Sequence, residues 1–314
     1  MSEPLSVTTE AVEPLDVASP RAAREVPPDP ETAPRPRNKE LEVMVAEVIP
    51  ETHDTATLVL FTGNDHLEYQ PGHFLTIRPQ QFVALERFLD YFETVKGRKE
   101  PARAYSLSSA PHERHLAITV KAERFVEGVT PFPPLLSPLL VWRTPPGTRM
   151  TVTGFSGPYV LPPDIEERTD HLVHVCAGSG VVPNLSIIKH ALATGMRLRH
   201  TLIYGSKTRD DVIFRERFAE LERRHPDRLR VVHALSREST DGLGDGYFAG
   251  RVGLEVLRRE IPDPEAVEVF ACGPAVTRWE RQEARRGAAC PSGASTGRAT
   301  ASRRSGGSLV RRSG

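Results

Sequence analysis

His171-Leu-Val-His-Val-Cys176-Ala-Gly178-Ser-Gly180-Val-Val-Pro183-Asn184 is the stretch on which the reading of this chain turns. Its first six residues form a continuous apolar-leaning run, which predicts a strand. A Gly-rich turn follows, and Asn184 to Ala193 reads as a helix. Downstream the alternation continues. His200–Tyr204 predicts a strand, Phe214–Arg224 a helix and Leu229–Ala234 a strand. Val252–Arg259 predicts a helix and Val267–Ala271 a strand. Strands alternating with helices imply a parallel sheet covered on both faces.

Upstream of Pro162-Pro163 the pattern differs. Val43 to Ile49, Thr57 to Phe61, His73 to Ile77, Leu116 to Val120 and Arg149 to Val152 are short, strand-like runs, and Pro71-Gly72 is a turn signal. This spacing predicts a small antiparallel barrel. Phe82, Leu85, Phe88, Leu89 and Phe92 recur at helical spacing, so an amphipathic helix is expected between strands, with its apolar face on the barrel. The fold class is therefore α+β with two domains, an antiparallel barrel at 39–163 and an α/β domain at 164–284. Residues 1–38, rich in Pro, Glu, Ala and Thr, are expected to be disordered. So is 285–314, where no acidic residue follows Glu283 and the composition resembles a shifted reading frame of a GC-rich gene.

The chain of 314 residues is long enough for two domains and a large core. Lys+Arg and Asp+Glu are equal at 41 each, so no global field argues for nucleic acid or an anionic membrane. No apolar run reaches transmembrane length and no secretory signal is recognisable, so a cytoplasmic protein is expected. Three cysteines, Cys176, Cys272 and Cys290, with no C-x-x-C, are too few for a four-thiolate cluster or a zinc ribbon. No metal site is expected. His171-x-x-His174 would face opposite sides of a strand. His112-x-x-His115 lies at a polar turn.

Gly178-x-Gly180-x-x-Pro183 sits between a predicted strand and a predicted helix. Glycines there let the backbone approach a pyrophosphate, and the helix N-terminus favours negative charge. Pro183 stands where a third Gly is usual and suits a first helical turn. After the next two strands come Ser206, Lys207 and Arg209, then Ser236 and Arg237, where an acidic residue would otherwise bind ribose hydroxyls. Hydroxyls with Lys and Arg suit a 2′-phosphate, favouring NADPH over NADH. Solvated loop charges are the competing reading, and Asp210-Asp211 works against the phosphate.

Arg103-Ala-Tyr105-Ser106-Leu-Ser-Ser-Ala-Pro111, then Gly178-x-Gly180-x-x-Pro183, then Cys272-Gly273-Pro274 occur in this order. Together they resemble the ferredoxin–NADP reductase superfamily, most of all the reductase components of bacterial oxygenases, over roughly 41–283 of the chain. The resemblance implies an FAD-binding barrel followed by an NAD(P)-binding α/β domain. It implies that Arg103 pairs with the FAD diphosphate, that Tyr105 packs on the flavin, and that Ser106 hydrogen-bonds near flavin N5. Val120-Lys121 matches a strand end beside the flavin. Gly128-Val-Thr130 resembles a loop on the diphosphate, although Pro131 and Pro133-Pro134 follow where a helix start is usual. Gly154-x-x-Gly157-Pro158-Tyr159 resembles the turn that closes the barrel. Cys272 would lie near the nicotinamide, with Gly273 and Pro274 shaping the approach. Ser106 and Cys272 are thus the expected catalytic positions. A helix is expected at Val276–Arg285.

The expected activity is an NAD(P)H-dependent flavoprotein reductase. Hydride passes to flavin N5, and electrons go on to a protein acceptor, a ferredoxin or an oxygenase component. The rival reading is a flavin-binding electron-transfer or regulatory subunit, active only in a complex.

Overall fold

The computed structural model describes residues 39–63, 67–261, 263 and 266–273, all within one compact unit. Pro274, the expected helix at Val276–Arg285, and the segments expected to be disordered lie outside the described residues.

Six strands build the first sheet: β1 (Lys39–Thr52), β2 (Thr55–Phe61), β3 (Phe74–Ile77), β4 (Arg103–Ser106), β5 (Leu116–Lys121) and β6 (Arg149–Ser156). They pair antiparallel in the order β4-β3-β6-β1-β2-β5. An antiparallel bridge from Leu107 to Ile118 ties the end of β4 back to β5 and closes the barrel. Alternation along the strands sends Leu58, Leu60, Leu75, Ile77, Ile118 and Val152 into one interior, all fully buried. Burying a side chain of this size contributes roughly 1.5–3 kcal/mol.

Between β3 and β4 the chain inserts α1 (Glu86–Lys96). Its N-terminal approach is two short 3₁₀ turns, and Gly97 ends it in the left-handed region at φ 63°. Leu85, Leu89 and Phe92 face the barrel as the sequence predicts. Phe88 does not: it joins Tyr91 and Val95 on the exposed face. With Leu85, Leu89 and Phe92 as the inward stripe, residue 88 lies at the edge of that stripe, on the side where Val95 and Tyr91 continue round to solvent. A second helix, α2 (Leu136–Trp142), packs Leu136 and Leu140 into the barrel core.

After α3 (Ile165–Arg168) come β7 (His171–Ala177), α4 (Val181–Ala193), β8 (Arg199–Ser206), α5 (Arg215–Arg224), β9 (Leu229–Leu235), β10 (Tyr247–Ala249), α6 (Leu254–Glu260) and β11 (Glu268–Cys272). The five strands are parallel, in the order β10-β9-β8-β7-β11. Leu202, Tyr204 and Val231 pack under α4 and α5 on one face. On the other, Val173, Ile203 and Val232 pack under Val256 of α6. From β7 the chain steps outward through β8, β9 and β10, then returns on the opposite side of β7 as β11. The carboxyl ends of β7 and β11 are therefore the switch point of this sheet, where open α/β sheets take ligands.

Candidate flavin and nucleotide site

At that switch point the turn after β7 and the end of β11 interlock. Cys176 pairs in register with Cys272, and the chain then makes a short 3₁₀ turn, Gly178–Gly180, before α4. Gly178 has φ 54°, and a Cβ there would meet no atom within 4 Å, so open space lies before it. Gly180 is different. A Cβ on it would stand 2.3 Å from the carbonyl oxygen of Cys272, so this glycine serves close packing. Gly273, at φ 106°, presses against the Ala177 backbone in the same way, with 2.5 Å to its oxygen. Pro183 occupies the first turn of α4, where its missing N–H costs no hydrogen bond.

Two buried side chains that the sequence reading did not single out hold this turn from below. The Tyr204 hydroxyl donates to the Gly178 carbonyl at 3.1 Å and accepts from the Ile213 N–H at 3.2 Å. The Asn184 amide donates to the Gly180 carbonyl at 2.8 Å, while its oxygen accepts from Tyr159 Oη and contacts His174 Nδ1, both at 2.8 Å. Both glycine carbonyls are thus directed into the protein. An Asn within the apolar run Val-Val-Pro-Asn-Leu was the available signal for such a role. His174 stacks on His200, with 3.1 Å between Nε2 and Nδ1. Burial holds His174 down near pKa 4 and His200 well below its usual value, so both rings are neutral. His171 instead meets Thr201 Oγ1 at 2.9 Å, away from His174.

A cleft of about 920 Å³ opens between the barrel and this turn. Arg103, Tyr105, Ser106, Lys121 and Thr130 line it from the barrel, and Ser179 and Val182 from the turn and α4. Leu89 and Phe92 of α1 and Phe132 supply apolar wall. Arg103 is half exposed and reaches Glu100 Oε2 at 3.2 Å, and Glu100 also pairs with Lys96. Lys96 stands over the Phe132 ring, 4.2 Å from its centre. Tyr105 is largely buried, which raises its pKa well above the usual phenol value. Ser106 ends β4 with no side-chain partner among the described residues.

Not every expected site residue reaches the cleft. Val120 is 1% exposed and belongs to the barrel core. The period of two along β5 puts Thr119 and Lys121 on the cleft side and turns Val120 inward. Lys121 donates to Asp54 Oδ1 at 2.5 Å. Burial raises the Asp54 pKa, but the bond and charge of Lys121, with Thr52, outweigh it and bring it to about 2. Gly128, at φ 73°, lies on an exposed loop with open space beside it. Thr130 ties that loop by accepting from the Val126 N–H at 2.8 Å. The Pro-rich stretch delays the following helix to Leu136.

Cys272 is half-buried at the end of β11 and does not line the cleft. Burial pushes its thiol up to about 11, so it is protonated at neutral pH. Beyond the strand ends, the Ser236 and Arg237 N–H groups donate to the Ser206 and Lys207 carbonyls at 3.0 and 2.8 Å, which zips these two loops together. Nearby acids are engaged locally. Asp211 Oδ2 accepts from the Thr208 hydroxyl at 2.8 Å, and Glu238 Oε2 from the Arg209 N–H at 2.6 Å. Neither Lys207 nor Arg237 has a carboxylate partner among the described residues. Arg209 lines a different cavity.

Comparison with known proteins agrees with this architecture. Residues 174–278 match the family model described as the oxidoreductase NAD-binding domain. The ferredoxin reductase component of 3-ketosteroid-9-alpha-monooxygenase from Mycolicibacterium smegmatis is 36% identical over 258 residues, covering 80% of this chain and 63% of that protein. The FAD/NAD-binding domain of nitric oxide dioxygenase from Vibrio cholerae superposes with a TM-score of 0.61 at 23% identity, covering 81% of this chain and 96% of that one. Ferredoxin-NADP+ reductase from Plasmodium falciparum gives a TM-score of 0.58 at 17% identity, with 79% and 90% covered. These likenesses support a resemblance to the ferredoxin–NADP reductase superfamily. It spans about three fifths of the length of the curated relatives it matches.

Proposed function

We propose that this chain is an FAD-dependent NAD(P)H oxidoreductase that passes hydride from the nicotinamide to the flavin and electrons on to a protein acceptor, a ferredoxin or an oxygenase component. The observation that carries the reading is the cleft itself. Arg103, Tyr105 and Ser106 from the barrel, and Ser179 and Val182 from the dinucleotide turn, open onto one cavity. The name of the Mycolicibacterium smegmatis relative, a ferredoxin reductase component, supports the acceptor class.

The residues present fit both cofactors. FAD, when bound, supplies a two-electron acceptor. Arg103 exchanges Glu100 for the diphosphate, using its fork of donors. Tyr105 offers a flat face and Ser106 a small donor and acceptor beside the reacting atom. Lys121, held by Asp54, and Thr130 flank them. At the nucleotide end, the turn with Gly178 and Gly180 cradles the pyrophosphate before the α4 N-terminus. Cys272, protonated at neutral pH, does not serve as a base there. Lys207, Ser236 and Arg237 bind the 2′-phosphate, which favours NADPH. A steady-state assay of the FAD-loaded chain with NADPH and ferricyanide tests the reading. Turnover that Arg103→Ala abolishes through flavin loss supports it, and flavin-loaded protein without turnover counts against it.

A further inference from the structure

A second cavity, of about 820 Å³, shares no lining residue with the flavin cleft. Val182 in the first turn of α4 faces the cleft, whereas Leu185 and Lys189, further along the same helix, face this cavity. Its volume falls in the roughly 300–1,000 Å³ range of small-molecule sites.

Ile49, Pro50 and Val59 from the barrel and Leu185 and Phe214 from the α/β half form an apolar wall. Two buried polar atoms on the lining have no partner. Ser108 is 3% exposed with an unpaired hydroxyl, and the Arg209 Nε is unpaired as well. Buried donors of this kind are normally satisfied, so each implies a missing acceptor.

The charges point the same way. Glu113 accepts from the Ala110 N–H at 2.6 Å and pairs with Lys189. Glu51 accepts from the Thr57 hydroxyl at 2.6 Å, and Asp210 stands 3.7 Å from Arg215. Arg114, Arg209 and Arg217 also line the cavity, and none lies within ion-pairing distance of a carboxylate among the described residues. Glu51, whose carboxylate also feels the charge of Arg217, and Glu216, on the exposed first turn of α5, offset these three only in part.

We propose that this cavity is a second binding site, for a small amphiphilic carboxylate: an apolar body on the Ile49–Phe214 wall and an oxyanion head on Ser108 and Arg209. A planar carboxylate matches the guanidinium fork and accepts from the hydroxyl.

Calorimetric titration of the purified full chain with octanoate tests this without turnover, so its result is independent of the reductase reading. One saturable site is expected. Octanol, lacking the charge, and acetate, lacking the body, should each bind at least roughly tenfold more weakly. Ser108→Ala and Arg209→Met should weaken octanoate by a similar factor, while Arg103→Ala leaves it unchanged. Ser108→Ala removes an unpaired hydroxyl, so its melting temperature should not fall, which separates lost affinity from lost folding. No saturable binding, equal binding of octanol, or loss of binding in Arg103→Ala would each overturn the proposal.

Discussion

Gly180→Ala tests the interlocked turn most sharply. The added Cβ would stand 2.3 Å from the Cys272 oxygen, 2.6 Å from its carbonyl carbon and 2.9 Å from the Gly273 nitrogen. All three are backbone atoms, so no side chain can rotate away. Reaching ordinary contact needs a movement of about 1 Å of the turn against β11. Such overpacking costs roughly 1–3 kcal/mol, and a misplacement of about 1 Å can lower a positioned reaction about 10²-fold. Gly195→Ala is the control: φ there is 73°, with nothing within 4 Å of a Cβ. Its cost is backbone strain of roughly 1–2 kcal/mol, remote from the turn. Urea unfolding should therefore find both variants destabilised by similar amounts. Stopped-flow flavin reduction by NADPH should be at least about tenfold slower in Gly180→Ala alone. Equal reduction rates in the two variants would refute the positioning argument.

Three further outcomes are expected. Tyr204→Phe leaves the Gly178 carbonyl and the Ile213 N–H without their buried partner, and should lower stability by about 1–3 kcal/mol in urea unfolding. Asp54 has a folded-state pKa near 2 against an ordinary 3.8, so its contribution is full above pH 4 and disappears as pH falls through 2. Asp54→Asn should therefore cost about 2 kcal/mol at pH 7, and the gap from the parent chain should close toward pH 2. Arg237→Ala should raise the KM for NADPH about tenfold or more while leaving that for NADH nearly unchanged, because only the former carries the phosphate that Arg237 pairs with.

The alternating strands and helices from His171 onward were legible because each parallel strand is a short apolar run bounded by turn residues. Their ends were less so. The helix predicted from Asn184 begins at Val181, since Pro183 is tolerated within a first turn and gives no stop signal there. Arg103–Ser106 read as a motif and proved also to be β4, whose four residues are too few to show alternation. The helix Leu136–Trp142 is apolar around most of its circumference, with a Pro in its first turn, and carries no amphipathic period. Phe88 was misassigned because its spacing of three from Leu85 and four from Phe92 puts it within the apolar arc, although at the edge of that arc the helix already faces solvent. Of the expected site residues, Arg103, Tyr105 and Ser106 line one cleft. Val120 does not, because strand parity decides its face. Tyr204 and Asn184 were missed because the groups they hold in the turn are backbone carbonyls, which leave no trace in residue identity.

The central claim, that flavin and nicotinamide meet on this chain, is tested most directly by the absorbance spectrum of the purified, FAD-loaded protein before and after anaerobic NADPH, then NADH. The account predicts a flavin band that bleaches on adding about one equivalent of NADPH. A bound flavin that stays oxidised with both nucleotides would contradict it.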